Sequence, residues 1–199
     1  VRSEDALVYV FRTRRLSKAI VQQFQIGYAP RDGQALVTYL KKKGFLLAEL
    51  REAGLVNRYD GDLFRGRMMV PLMDAGGQVI GFTARLIADV PNAPKYLNTP
   101  QTLLYDKGRH VFGLMQAKQA IRAQGYAVIV EGNMDVISSH QAGEAAAVAT
   151  AGTAMTEQHI RALKRLAGDI RLSFDGDNAG RAATERAIGL AAQAGVELK

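Results

Sequence analysis

Ala127-Val128-Ile129-Val130-Glu131-Gly132-Asn133-Met134-Asp135 is the stretch on which the reading of the fold turns. Its first four residues are apolar and mostly β-branched, and they stop at a charge and a glycine. That is the pattern of a short strand buried on both faces. Ala145 to Ala149 and Ile170 to Phe174 read the same way. Helical stretches at about 134–142 and 156–167 separate these runs, and another follows at 178–194. Strands alternating with helices at this spacing predict an α/β fold, a parallel sheet with helices on its faces. Ligands of such sheets collect beyond the carboxyl ends of the strands. Glu131 directly follows the first strand, with Gly132 expected to turn the backbone sharply. Asp175 directly follows the third, with Gly176 and Asp177 after it. All three acids therefore fall on one edge.

Carboxylates gathered there repel one another at a cost of several kcal/mol unless a cation lies between them. Hard oxygen donors suit Mg²⁺ or Mn²⁺, and Mg²⁺ is usually held by few carboxylates together with substrate phosphates. Asp135, one turn into the next helix, is placed to support the metal's outer shell. Each motif also has a plainer reading. Asp175-Gly176-Asp177-Asn178 makes a turn and helix N-cap, Glu131-Gly132 a strand end, and Asp135 a surface helix residue. Their coincidence on one edge favours a divalent-metal site for phosphoryl transfer on nucleic acid.

The rest of the chain is consistent with such a substrate. Of its 199 residues, 48% are hydrophobic, an ordinary globular composition. No apolar run approaches the roughly 20 residues of a membrane span, so no membrane partner is expected. The first residues are charged and unlike a signal peptide. No cysteine is present, which excludes disulfides, a thiolate nucleophile and a Cys-type zinc site within this stretch, and a cytoplasmic location is expected. The chain starts at Val1 rather than Met, as a piece of a longer protein would. Residues 1–123 carry 19 Lys and Arg against 10 Asp and Glu, a net +9, whereas 124–199 carry 7 against 9, a net −2. Two domains with these bounds are expected: a basic region offering a track for a polyanion, and an acidic one holding cations. A merely solvated basic surface is the alternative.

The basic region reads as mixed α and β. Leu16 to Phe24 predicts a short helix capped by Ser17, ending at the turn signal Ile26 to Pro30. Helices are predicted near 34–43 and 46–53, each closed by a glycine. Arg67 to Asp74 and Gln78 to Arg85 flank Ala75-Gly76-Gly77 as a β-hairpin, with Pro71 suggesting an edge or bulge. Asp89 to Gly108 reads as loop, and a helix is predicted from Gly113 to about Gln124.

The unit from Val128 to Ala187 resembles the Toprim domain of bacterial DnaG-type primases, topoisomerases and related nucleases. Glu131 matches its glutamate motif, and Asp175 and Asp177 its DxD motif. The likeness to the replicative primases is closer. It runs through Glu131 to Ile137, Ala149-Thr150-Ala151-Gly152-Thr153-Ala154 and Asp175 to Arg181. Upstream it includes Leu16 to Pro30, Phe64 to Pro71, Pro94 to Pro100, and Lys107 through Leu114.

This resemblance implies an N-terminal core subdomain followed by a Rossmann-like Toprim sheet. It also implies synthesis of RNA primers on single-stranded DNA from ribonucleoside triphosphates. Glu131, Asp175 and Asp177 would hold Mg²⁺ or Mn²⁺, with Asp135 close by. Arg14, Arg85, Lys95, Tyr96, Asn98 and Lys107, with Arg65 and Arg67 as companions, would bind nucleotide phosphates or template. Gly152 and Thr153 are expected to offer backbone donors near the site, although a plain strand-to-helix turn fits them equally. The three histidines show no metal-ligand spacing and are given no role. In the family, zinc belongs to an N-terminal module and the replicative helicase to a C-terminal domain, neither of which falls within these residues. A third acidic segment follows one more strand, and Gly195 to Lys199 stands where that strand should start. Two departures stand out: Asn133 where the family usually has Tyr, and an altered spacing over 58–64. Another Toprim enzyme, a topoisomerase or nuclease, and a non-catalytic nucleic-acid-binding module are the competing readings.

Overall fold

The computed structural model describes residues 3–196, 198 and 199. The chain forms two compact units. One is Val1–Leu72 with Val79–Asp106, the other Met73–Gln78 with Lys107–Lys199. By packing, the long segment of the second unit begins at Lys107, before the change in charge near residue 123. The cause is α5 (Leu114–Gln124), whose Ala117 and Ile121 are fully buried in the core of the parallel sheet.

In the first unit, α1 (Glu4–Leu7) runs into a π-helical segment, Val8–Thr13. Then come α2 (Lys18–Gln23), β1 (Gly27–Ala29), α3 (Ala35–Lys42) and α4 (Leu47–Glu52). Ser17 caps α2 as expected, accepting from the Ile20 N–H at 3.2 Å. Strands β2 (Arg67–Met73), β3 (Val79–Leu86) and β4 (Tyr96–Asn98) complete an antiparallel sheet in the order β1-β2-β3-β4. Strand β1 pairs only with Arg67, Met68 and Met69. Pro71, which has no N–H to give, thus stands past the end of that pairing, on the part of β2 that behaves as an edge. Strand β4 forms inside a segment that reads as loop, with Arg85 directly opposite Tyr96 and Thr83 opposite Asn98.

Within 58–64, one side chain holds a helix end. Asp62 is almost fully buried, and its two oxygens accept from the Leu36 and Val37 N–H groups at 3.0 and 2.9 Å. These are orphan donors at the positive end of α3. Asp62→Ala should therefore cost about 3 kcal/mol of stability, since it strands two buried N–H groups and removes a charge that the helix end favours. Urea unfolding measures this, and a loss under 1 kcal/mol would contradict it.

The second unit is built on β5 (Tyr126–Val130), with β6 (Ala147–Val148) and β7 (Asp169–Ser173) parallel on either side, in the order β6-β5-β7. Helices α6 (Asn133–Gln141), α7 (Glu157–Lys164) and α8 (Asn178–Gln193) follow the three strands in turn. Ala127, Ile129, Val148 and Ile170 of the sheet are buried with Ile160 and Leu163 of α7 and Ala191 of α8. Strand β6 is shorter than predicted because Ala149 leaves it to bridge Phe112 antiparallel. Leu198 bridges Ile170 in parallel where a further strand was expected, and Glu197 lies outside the described residues. Gly113 precedes α5 at φ 80°, and a Cβ there would meet Val136 Cγ1 at 2.7 Å. Only glycine fits that turn. Among the described residues, no helix is long and apolar enough to cross a membrane.

Two histidines without a role in the sequence are structural. His159 is buried at the start of α7. Its Nδ1 accepts from the Thr156 N–H at 3.1 Å, so Nε2 carries the proton and donates to the Lys107 carbonyl at 3.1 Å. His110 is 7% exposed, and burial, then the neighbouring His159, bring its pKa down to about 4. A histidine with a depressed pKa contributes full stability above its unfolded value of about 6.5 and loses it as the pH falls towards 4. His110 should therefore account for roughly 3 kcal/mol of acid destabilisation across that window. Guanidinium melts at several pH values should show that component vanish in His110→Gln. An NMR pKa near 6.5 for His110 would refute it.

Candidate functional site

Glu131 directly follows β5, and Asp175 follows β7 after Phe174. Their side chains come within hydrogen-bonding range of each other, with Asp177 and Asp135 close enough to act on Glu131 electrostatically. The Glu131 carboxyl is pushed above the usual carboxylate range. Desolvation is the first cause, followed by Asp175, Asp177 and Asp135. The edge thus favours a proton, or another cation, between its acids.

Two of the acids do the structural work of the plainer readings as well. Asp177 caps α8, accepting from the Gly180 N–H at 2.8 Å through Oδ1. Asp135 Oδ2 accepts from the Gly132 N–H at 3.0 Å. In each, one oxygen holds a helix end. The starts of α6 and α8, each the positive end of a helix dipole, lie beside these charges and temper their repulsion. Among the described residues, no three acidic or histidine side chains close around a point where an ion would sit. The donor set nevertheless suits a hard divalent ion: four exposed carboxylates, all oxygen, on one sheet edge.

The glycines act differently from expectation. Gly132 has φ −135° and ψ 166°, ordinary extended backbone, and a Cβ there would press on Asp135 Oδ2 at 3.1 Å. It is small so that Asp135 can reach back to it. A Cβ on Gly180 would overlap the Asp175 carbonyl oxygen, so the first turn of α8 lies directly against the backbone of the DxD turn. In the loop after β6, Ala151 and Gly152 have φ 53° and 76°, forming a tight left-handed turn. The Thr153 N–H, expected as a donor to the site, instead bonds the Thr150 carbonyl at 3.3 Å. Thr150 and Thr153 line a cavity of about 130 Å³ beside Glu131, together with Arg186 of α8.

The expected basic residues fall into three places. Arg14, Arg85 and Tyr96 come together in the first unit. The Arg85 guanidinium lies over the Tyr96 ring at 4.8 Å and bonds its hydroxyl. Arg14 and Arg85 both donate through Nε to the hydroxyl of Tyr9, a residue that no motif singles out. Lys95, just before β4, is exposed, and Asn98, the last residue of β4, is half-buried. Arg65 lines a separate cleft of about 490 Å³ with Arg31, which sequence reasoning missed, and with Arg67.

Arg67 itself departs from expectation. It is 5% exposed, and its guanidinium donates to the carbonyls of Pro94 at 2.8 Å and Lys95 at 3.4 Å. Burial, then the charge of Arg65, lower its pKa. It anchors the segment Pro94-Lys95 that leads into β4 and Tyr96. Lys107 belongs to the second unit, its carbonyl held by His159 Nε2 at 3.1 Å and by Thr153 Oγ1 at 3.5 Å.

Residues 1–118 match the family described as DNA primase catalytic core, N-terminal domain, and residues 128–199 match a Toprim-like family. A DNA primase of Synechococcus elongatus is 45% identical over 98% of this chain, which spans 29% of that protein's length. The crystal structure of the Aquifex aeolicus primase (zinc-binding and RNA polymerase domains) superposes with a TM-score of 0.90. It is 36% identical, over 99% of this chain and 49% of that one. A DnaG primase catalytic domain solved bound to ssDNA superposes with a TM-score of 0.85 at 37% identity, over 94% of this chain and 59% of that one. With its first 118 residues matched as one domain and likeness to primases over nearly all its length, the chain belongs to the DNA primase catalytic core family.

Proposed function

We propose that the protein carrying this chain synthesises RNA primers on single-stranded DNA from ribonucleoside triphosphates, as a DNA-directed RNA polymerase of the primase type. The observation that carries this reading is the acidic edge of the parallel sheet, where Glu131 after β5 and Asp135 at the start of α6 meet Asp175 and Asp177 between β7 and α8. It occurs in a chain that belongs to the primase core family.

Glu131, Asp175 and Asp177 would hold Mg²⁺ or Mn²⁺, with Asp135 supporting from the start of α6. When bound, such ions would activate a 3′-hydroxyl and neutralise the leaving pyrophosphate. The chain's own part is positioning and charge. The helix caps fix Asp177 and Asp135 in place. In the basic unit, Arg14, Arg65, Arg85 and Lys95 bind phosphate oxygens, Tyr96 offers a ring for base stacking, Asn98 adds a polar contact, and Arg67 supports their strand. Lys107 is a further phosphate ligand, in the second unit. A cytoplasmic protein, a replicative helicase as partner and zinc in a separate module all follow from the same reading.

The intact protein should make ribonucleotide primers on a single-stranded template only with Mg²⁺ or Mn²⁺ present. It should leave supercoiled plasmid unrelaxed. Relaxation or cleavage of DNA without primer synthesis would favour a different Toprim chemistry.

A further inference from the structure

Tyr9 lies in the π-helical segment Val8–Thr13, where the Arg14 N–H bonds the Tyr9 carbonyl at 2.8 Å across five residues. An α-helix would bring residues 12 and 13 against Tyr9; the wider turn brings Arg14 instead. The Arg14 guanidinium lies over the Tyr9 ring at 5.4 Å, and its Nε donates to the Tyr9 hydroxyl at 2.9 Å. Arg85 Nε donates to the same oxygen from β3, while its Nη1 bonds the Tyr96 hydroxyl. One phenol oxygen therefore draws together two guanidinium groups from segments 71 positions apart in the chain. Arg14, with Nε engaged, keeps both terminal nitrogens for a ligand, and Arg85, with Nε and Nη1 engaged, keeps Nη2. Two guanidinium groups converging on partly exposed ground form a receptor for an oxyanion.

We propose that Tyr9 is a positioning residue that gathers Arg14 and Arg85 into one phosphate-binding fork beside Tyr96. This deepens the reading of the basic unit given above and rests on it. The ligand is a phosphate group, from either a nucleoside triphosphate or the phosphodiester of a template strand.

Tyr9→Phe removes the hydroxyl and keeps the ring, so it tests the fork without opening a cavity. On the intact protein, calorimetric titration with inorganic tripolyphosphate and anisotropy of a labelled oligo-dT separate the two sources. Affinity for one probe should fall about tenfold, the range expected for a hydrogen bond to a charged group. The KM for the corresponding substrate should rise in step, with kcat within about twofold. A fall with tripolyphosphate alone assigns the fork to the nucleotide, and a fall with oligo-dT alone assigns it to the template. In an Arg85→Lys background, which keeps the charge and loses the fork, Tyr9→Phe should have little further effect. Unchanged affinity for both probes, or full additivity with Arg85→Lys, overturns the proposal. Arg14→Ala and Arg85→Ala tell which idea has failed. If they weaken binding while Tyr9→Phe does not, only the role of Tyr9 falls. If they too leave binding intact, the assignment of the basic side chains to phosphate falls with it.

Discussion

Asp175→Asn in the intact protein is expected to lower primer synthesis on the order of a thousandfold, the scale on which losing a charged group at a phosphoryl-transfer centre acts. Asparagine keeps the shape and can still bond Glu131, so the fold should hold. What disappears is one negative charge of the group that raises the Glu131 pKa. Affinity for single-stranded DNA should stay within about twofold, because phosphate contacts are electrostatic and the basic charge lies in residues 1–123. That affinity should also fall steeply with salt in both proteins. Primer assays beside anisotropy measurements read both effects. Synthesis at the wild-type rate would remove Asp175 from the metal site.

Gly180→Ala should be nearly as damaging, for a mechanical reason. The added methyl would overlap the Asp175 carbonyl oxygen, a backbone atom that cannot swing aside as a side chain can. Either the first turn of α8 moves away, breaking the Asp177 cap on the Gly180 N–H, or the 175–177 turn itself shifts. Overpacking of this kind costs about 1–3 kcal/mol, to which the lost cap adds about 1 kcal/mol. Whichever segment yields, Asp175 and Asp177 no longer hold their relation to Glu131, so synthesis should fall by at least a hundredfold, on the order seen when a positioned group is displaced. Gly176 in the same motif provides the contrast. Its Cβ direction is open for 4 Å, and its φ is not in the left-handed region. Thermal melts should find Gly176→Ala within about 1 kcal/mol of wild type and Gly180→Ala well below it. Equal melting temperatures would show that α8 can give way at no cost.

The parallel sheet and its acidic edge were legible because they depend on runs of buried apolar residues and on what directly follows them. Topology then brings Glu131 and Asp175 together without any knowledge of side-chain contacts. The three-residue strands β1 and β4 were not legible. Gly27, Asn98 and Pro100 are turn formers, and three residues cannot establish an alternation. The π-helical segment leaves no residue pattern either, so only the fold reveals Tyr9 beside Arg14 and Arg85. The burial of Arg67 is not legible either, because an arginine on a hairpin is ordinarily solvated. Its burial depends on the Pro94 carbonyl, 27 residues away. Asp62 was passed over for the same reason, since the N–H groups it caps lie 26 and 25 residues upstream. The expected boundary after 123 followed the change in charge, whereas the compact units follow the packing of α5.

Most directly at stake is whether the acidic edge binds a divalent ion. Free Mn²⁺ followed by electron paramagnetic resonance during titration into the intact protein measures this, with wild type and Asp175→Asn compared at several pH values. A carboxyl with a raised pKa keeps its proton at a pH where an ordinary one has lost it, and a metal ligand must be ionised. Binding by the wild type should therefore strengthen as the pH rises through the elevated range of Glu131, with release of a proton. Asp175→Asn should weaken it at least about tenfold, as loss of a ligand or its support does. Equal Mn²⁺ affinity in the two proteins, with no dependence on pH, would contradict the assignment of Glu131, Asp175 and Asp177 as the metal site.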